Sequence, residues 1–303
     1  MVNLTGYGTI KYYKIMDFLA NVSKYKHQWW RYLLNFLLWI ILSNVAVVVG
    51  TVIAVSSGMD GNQIQSYMET RNGVFMLSVF TLMLFMFFIS FKSVHRGSIR
   101  TLINAGQKFR LNIFVTATLI MLLVFNIVAS VELIIAGNYQ FIFNIQAELP
   151  VVLGLVVLVA AQTLFEELVF RAYIPQGLYL LINNKWICAL ISSTLFALLH
   201  GANRFAEGGI TFLIPFFVIG FVLCAIAIFD NGIERAWGVH FANNIVGIFF
   251  LSHDKMELTG MPSLFKYNGV MEGSFCDVII ISVIFIVTLC VMYKVCHWSI
   301  KTA

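Results

Sequence analysis

Three ionisable residues interrupt one of the most apolar stretches of the sequence, QTLFEELVFRAY at residues 162–173. Glu167 and Arg171 are four residues apart with the glutamate first, which is the better orientation for an ion pair within one helix. Glu166 is rotated by about 100° from Glu167 on a helix and has no partner at that spacing. Because ionisable groups in such segments are costly and usually functional, we expect Glu166 to be free for chemistry.

Two histidines and an asparagine occupy other apolar segments, where they could complete a hydrolytic site. His240 and Asn244 are four residues apart and would project from one helix face. Glu166 and His200, if brought together, could activate a shared water molecule as general base and assistant. His240 and Asn244 could then donate hydrogen bonds to an oxyanion. The alternative is that these residues are packing polars with satisfied hydrogen bonds, as in many transporters.

The composition places these residues in a membrane protein. Of the 303 residues, 60% are hydrophobic and 11% are charged, whereas soluble domains average about 45–50% apolar and about 25% charged residues. The five cysteines lack zinc-ligand spacing and are expected to be small buried residues. Residues 1–30 lack the apolar core of a cleavable signal peptide, so the first spanning helix is expected to direct insertion.

Eight apolar segments are long enough to be membrane-spanning helices, which need about 20 residues. They are 31–55, 73–91, 111–136, 151–182, 186–206, 209–229, 232–251 and 277–296. Without repeats or long linkers, residues 1–303 are predicted to form one all-α domain, a polytopic membrane helix bundle with both termini in the cytoplasm. Of the 19 Lys and Arg residues, fourteen would lie inside, four outside and Arg171 within a span, as the positive-inside rule requires. This distribution explains the net charge of +5 without a nucleic-acid partner.

The predicted helix geometry brings the polar residues to similar depths. Glu166 and His200 would lie ~27 Å and ~23 Å from the turn between the fourth and fifth spans. This requires the fourth span to continue as one long helix past Arg171, with Pro175 as its kink. His240 would lie ~13 Å from the turn between the sixth and seventh spans, which is shallower but within reach if the cavity opens inward.

Two further segments are rich in basic and aromatic residues. Residues 10–32 mix Lys, Tyr and Trp, as headgroup-level segments do, and residues 95–111 carry basic residues at helical spacing around isoleucine and leucine. We expect both to be plain membrane anchors rather than specific lipid sites. Glu132, toward the end of the third span, is expected to be a structural or interfacial carboxylate.

Three motifs, in this order and in apolar helices, resemble those of the CAAX-protease and bacteriocin-processing family (CPBP, or Abi) of intramembrane glutamate proteases. EELVFR at 166–171 matches EExxxR, FALLH at 196–200 matches FxxxH, and HFANN at 240–244 matches HxxxN. The resemblance covers a core at residues 150–252 and relates the chain to the type II CAAX prenyl endopeptidase. Ala172 departs from the glycine that bacterial members commonly carry after the arginine.

This resemblance implies an intramembrane endopeptidase that hydrolyses a peptide bond of a membrane-tethered substrate, such as a prenylated protein or a leader peptide. Glu166, assisted by His200, would activate water, and His240 and Asn244 would hold the oxyanion, while Arg171 and its paired glutamate support the helix geometry. Expected partners are that substrate and the lipid bilayer, in a bacterial plasma membrane or, alternatively, a eukaryotic ER membrane. A transporter or a non-proteolytic CPBP-like scaffold with the same polar residues is the alternative function.

No cofactor is expected. Glu166, His200 and His240 could ligate zinc, but the HExxH signature is absent from the sequence. The sequence also offers few polar residues near His200 that could orient it as a zinc ligand. Asparagine is an uncommon zinc ligand, so Asn244 makes better sense as an oxyanion donor.

Overall fold

The computed structural model describes residues 18–104, 108–136, 139–201, 213–252, 261–267 and 275–295. A 3-10 helix at Leu19–Lys24 comes first. The helices that follow are α1 (Trp29–Ser56), α2 (Gly61–Thr70), α3 (Asn72–His95), α4 (Arg100–Ile103), α5 (Leu111–Ala136), α6 (Ile145–Glu167), α7 (Ile174–Ile182), α8 (Lys185–Gly201), α9 (Leu213–Asp230), α10 (Glu234–Phe249) and α11 (Phe275–Val295). The side chain of Glu132, residues 10–17 of the basic N-terminal segment and residues 202–206 of the fifth predicted span lie outside the described residues.

The protein is an all-α membrane helix bundle, and every predicted span overlaps a helix. Five helical segments of the described chain are long and apolar enough to cross a membrane, among them α1, α3 and the continuous segment Glu148–Ile182. The apolar helices Lys185–His200 and Ile279–Val295 are shorter, and α10 has 16 residues. The count of eight crossings and the cytoplasmic placement of the termini therefore stay predictions.

A small sheet accompanies the helices and was not predicted. Strand β1 (Tyr139–Phe141) pairs antiparallel with β3 (Phe265–Tyr267), and β2 (Leu251–Ser252) pairs with β3 in parallel. Strands of two or three residues are too short to show an alternating hydrophobic pattern in the sequence.

Close helix packing sets the positions of α8 and α10. Gly238 lies so near α5 that a Cβ atom there would stand 2.9 Å from the Ala117 side chain, and Thr118 Oγ1 donates a hydrogen bond to the Gly238 carbonyl at 3.2 Å. Gly220 of α9 similarly faces Ser193 of α8, with 3.2 Å from an added Cβ to the serine Cβ. Small residues allow such backbone approach in membrane bundles, so α8 and α10 have little freedom to shift.

A cluster of charges fixes the beginning of α10. The buried Glu234 carboxylate accepts hydrogen bonds from Arg110 Nε at 3.1 Å, from Arg110 Nη2 at 2.5 Å and from Asn104 Nδ2. Arg110 also pairs with Asp230 at 3.1 Å, and Arg235 Nε donates to Asp230 Oδ1 at 3.0 Å. These contacts between opposite charges hold the first turn of α10 against Asn104 and Arg110.

A π-helix, Leu168–Tyr173, joins α6 to α7, so the fourth span continues past Arg171 as predicted. Pro175 lies directly after this π-helix, in the first turn of α7, and the kink expected there stays a prediction. A π-helical amide donates to the carbonyl five residues earlier, and Pro175 has no N–H to offer Phe170. Ser192 Oγ donates to the Phe170 carbonyl instead at 2.5 Å, and Cys224 Sγ lies 3.6 Å from it.

Candidate active site

Glu166 lies at the end of α6 and faces one histidine from each of two other helices. His200 Nε2 is 3.6 Å from Glu166 Oε1, and His240 Nε2 is 3.4 Å from Glu166 Oε2. The structure thus brings together Glu166 and His200, which were predicted at similar depths, and His240, which was predicted to be shallower but within reach. Both distances exceed a tight hydrogen bond, as is common at catalytic groups before substrate binds.

Gln162 is the partner of Glu166 that the sequence analysis missed. Its Nε2 donates to Glu166 Oε1 at 2.6 Å, and it is four residues earlier on the same helix face. The expectation that Glu166 has no partner at helical spacing is therefore wrong. A glutamine amide four residues away can pair with a carboxylate as a charged residue can. Gln162 stands first in the quoted stretch QTLFEELVFRAY, so its spacing could have revealed it.

Gln162 also connects Glu166 to Asn244. A carboxylate can only accept hydrogen bonds, which fixes the Gln162 amide with Nε2 toward Glu166 and Oε1 away from it. Asn244 Nδ2 then donates to Gln162 Oε1 at 2.9 Å, and Asn243 Nδ2 donates to Asn244 Oδ1 at 3.0 Å. The carboxylate thereby sets the orientation of three successive amides, and Asn244 lies in the same network as Glu166.

Glu167 is shared between two partners. Arg171 Nε lies 3.3 Å from Glu167 Oε1, which is the predicted pair, and His240 Nδ1 donates to the same oxygen at 2.7 Å. The second contact was not predicted. Because Nδ1 carries the hydrogen that Glu167 accepts, Nε2 is the ring atom of His240 that faces Glu166. Glu166, Glu167, Arg171 and His240 are all buried, with at most 3% of each residue exposed.

Phe196 holds both Arg171 and His200. The guanidinium carbon of Arg171 lies 4.3 Å from the centre of the Phe196 ring, a cation–π contact. The His200 ring lies 4.1 Å from the same ring, and His200 Nδ1 donates to the Phe196 carbonyl at 2.8 Å. Phe216 stacks on His200 at 5.3 Å. Phe196, the first residue of the FxxxH motif, thus contacts both Arg171 and His200 and helps to position them.

These contacts change one argument about zinc. The sequence offers few polar side chains near His200, but in the structure a backbone carbonyl orients it through Nδ1, and Glu167 orients His240 through Nδ1. Such outer contacts are found on zinc-bound histidines as well. Within the described residues, no group of three or more His, Cys, Asp or Glu is placed to hold a metal ion. Metal independence stays a prediction, to be tested by metal analysis.

Comparison with known proteins identifies the segment that carries this site. Residues 147–246 match the family model described as type II CAAX prenyl endopeptidase Rce1-like. The chain is 32% identical over 137 residues to Uncharacterized protein YyaK of Bacillus subtilis (strain 168), which covers 44% of this chain and 46% of that protein. It is 32% identical over 104 residues to UPF0177 protein YxdF of Lactococcus lactis subsp. lactis (strain IL1403), covering 34% of this chain and 53% of that protein.

The chain spans about half the length of the curated relatives it matches. No solved structure matches it. The matched segment contains all three sequence motifs and the residues that the structure gathers around Glu166. It includes no part of α1 to α5. Residues 147–246, which carry the three motifs, are therefore similar to the family described as type II CAAX prenyl endopeptidase Rce1-like.

Proposed function

We propose that the protein is an intramembrane endopeptidase that hydrolyses a peptide bond of a membrane-tethered substrate. The observation that carries this proposal is the Glu166 carboxylate between the Nε2 atoms of His200 and His240, at 3.6 and 3.4 Å, inside an apolar helix bundle. The family match over residues 147–246 supports it. A carboxylate flanked by two imidazoles can accept, hold and return a proton, which is what hydrolysis by an activated water needs.

The proposed reaction assigns a role to each side chain around Glu166. A water held between Glu166 and His200 gives a proton to the carboxylate while its oxygen bonds to the carbonyl carbon of the substrate. The negative charge moves to the carbonyl oxygen, where His240 Nε2–H and Asn244 donate hydrogen bonds. When the carbon–nitrogen bond breaks, Glu166 returns its proton to the leaving amine.

The donors have hydrogens available for this role. Asn244 has two N–H groups, and Gln162 accepts one of them, so the other can reach an oxyanion. Glu167 accepts the Nδ1 hydrogen of His240, which turns Nε2, the proposed oxyanion donor, towards Glu166. The roles of Glu167 and Arg171 are thus to hold His240 and the helix.

Access and substrate class complete the proposal. Glu166 and His240 are buried, whereas the His200 side chain is 28% exposed, so the substrate approaches along the His200 edge. The substrate is proposed to be a protein or peptide tethered in the bilayer, for example through a prenyl group or an apolar leader. The relatives from Bacillus and Lactococcus favour a bacterial plasma membrane.

The test uses purified full-length protein in nanodiscs with a labelled, lipid-tethered peptide library. Glu166→Gln keeps the size and the hydrogen bonds of the side chain but cannot accept the proton of water, so no product is expected. Glu148→Gln is the matched control, because it removes a carboxylate near the other end of the same helix and should cleave like the wild type.

Cleavage by Glu166→Gln at a tenth of the wild-type rate or more would refute the general-base role. Proton or solute flux into liposomes that depends on Glu166, without any cleavage, would favour the transporter alternative. Binding of a substrate peptide by the wild type without cleavage or transport would favour a scaffold.

A further inference from the structure

A cavity of about 390 Å³ opens where α3 ends and α1 begins, and it is lined by residues 23–28 and Arg96. We call it the basic pocket. Lys24, Lys26, His27 and Arg96 are four of its seven lining residues, and none of the seven is acidic. Three permanent cations and a histidine around one cavity create a field that favours an anion.

The backbone that carries these cations is anchored in the protein. Lys26 N donates to the His95 carbonyl at 2.9 Å, and His95 Nδ1 donates to the Lys26 carbonyl at 2.6 Å. Tyr25 is buried, and its hydroxyl donates to Gln176 Oε1 at 3.1 Å. The backbone that carries these cations is therefore held in place, and an anion that binds here need not order a loose tail.

Arg96 has an unusual backbone conformation. Its φ is 53°, in the left-handed region, and the other non-glycine residues with positive φ in the described chain are Asn183 and Asn231. Asparagine tolerates this region well, whereas a long side chain such as arginine is uncommon there. Arg96 is the C-cap of α3, a position where helices often take this conformation, and it lines the basic pocket.

The helix that starts at the pocket adds to the positive field. Gln28, another lining residue, is the N-cap of α1 and makes no side-chain cap hydrogen bond. The first amide groups of a helix carry partial positive charge and need hydrogen-bond acceptors. An anion in the pocket would lie beside these donors as well as beside the side-chain cations.

The position of the pocket points to a lipid. It lies at the ends of α1 and α3, both long and apolar enough to cross a membrane. Trp29 and Trp30 follow the lining residue Gln28 in the sequence and are 71% and 43% exposed, as expected of aromatic residues at headgroup level. We propose that the basic pocket binds the phosphodiester headgroup of an anionic phospholipid, a more specific role than the membrane anchoring expected from the sequence. Basic pockets at helix ends are suited to such headgroups.

The proposal is independent of proteolysis and is tested by lipid binding. Wild-type protein in detergent micelles is given equal amounts of phosphatidylglycerol and phosphatidylcholine, and retained lipids are counted by native mass spectrometry. The pocket variant carries Lys24→Gln, Lys26→Gln and Arg96→Gln. Each cation near an anionic surface contributes about fivefold to binding, so the three changes should lower the preference for phosphatidylglycerol about a hundredfold.

The control variant carries Lys92→Gln, Arg100→Gln and Lys108→Gln, three exposed cations outside the pocket whose loss changes the net charge equally. We expect the pocket variant to lose at least ten times more of the preference than the control variant. Equal losses would show general surface attraction and overturn the proposal, as would a wild type without any preference. If the pocket variant fails to fold, Lys26→Gln alone, at an exposed side chain, takes its place and should lose about fivefold more of the preference than Lys92→Gln, or the proposal is overturned.

A second arm separates a lipid from a soluble anion. Inorganic phosphate is titrated against the wild type in detergent, and the melting temperature is compared with that in phosphatidylglycerol micelles. Only the lipid should raise the melting temperature, because the pocket adjoins the apolar helix ends that hold the acyl chains. Equal stabilisation by phosphate would assign the pocket to a soluble anion and refute the lipid site.

Discussion

Replacing Arg171 by methionine should lower the stability of the fold, because it leaves the carboxylate of Glu167 buried without its ion-pair partner. Arg171 is 1% exposed, with Nε 3.3 Å from Glu167 Oε1 and its guanidinium carbon 4.3 Å from the Phe196 ring centre. Removing one partner of a buried ion pair costs about 3–5 kcal/mol, since the other charge stays buried. Glu167 would keep one hydrogen bond, from His240, so we expect the lower end, about 3 kcal/mol.

The double variant Glu167→Gln/Arg171→Met should recover at least half of that loss. The glutamine oxygen can still accept from His240 Nδ1, and no unpaired carboxylate remains in the bundle. The Nη atoms of Arg171 have no hydrogen-bond partner among the described residues, so methionine against Phe196 sacrifices few hydrogen bonds. Replacing both members of a buried pair by neutral groups is often nearly neutral for stability.

The assay is thermal unfolding in detergent, followed by helical circular dichroism. A change of 1 kcal/mol shifts the melting temperature by about 2–4 °C in chains of this order of size, so Arg171→Met should melt about 6–12 °C below the wild type. Arg100→Met, at an exposed arginine, is the control and should melt with the wild type. A double variant that melts no higher than Arg171→Met would refute the pairing.

Three further predictions concern the active site and use the peptide-cleavage assay. Gln162→Leu removes a hydrogen bond to a charged group, worth about 1.5–3 kcal/mol, so kcat should fall about 10- to 100-fold with KM unchanged; a wild-type kcat would exclude Gln162 as a positioning residue. Asn244→Ala should lower kcat by about 10²–10³ as the loss of an oxyanion donor, and a change in KM alone would contradict that role. Chelation by 1,10-phenanthroline should leave activity unchanged; one zinc per active protein, lost together with activity and restored by added zinc, would instead show a metal bound by Glu166, His200 and His240.

The positions of the helices along the chain could be predicted because apolar length determines them. Each of the eight apolar runs overlaps a helix, and the rise per residue placed Glu166 and His200 at ~27 and ~23 Å from their common turn. The observed distance of 3.6 Å between their side chains agrees with that estimate. Spacing along one helix was equally informative, because Glu167 and Arg171 do pair.

Contacts between helices could not be predicted in this way. Helices that are apolar on all sides carry no stripe that shows which face turns inward, so the sequence did not place His240 against Glu167 or Arg171 against Phe196. The ion pairs of Arg110 with Asp230 and Glu234 were not predicted for a related reason. The two carboxylates lie 120 and more residues away in sequence, and only the folded chain brings them together.

Pro175 leaves a backbone carbonyl of the π-helix without its helical partner, and side chains from two other helices, α8 and α9, approach that carbonyl. Pro175 cannot donate a backbone hydrogen bond, and in the π-helical register the carbonyl left without a partner belongs to Phe170, next to Arg171. Ser192 of α8 and Cys224 of α9 approach that carbonyl at 2.5 and 3.6 Å. A buried carbonyl without a partner would cost about 1–3 kcal/mol, so this requirement favours the arrangement in which α8 and α9 lie against the helix that bears Glu166. The proline therefore contributes to the geometry of the candidate active site although it lies outside all three motifs.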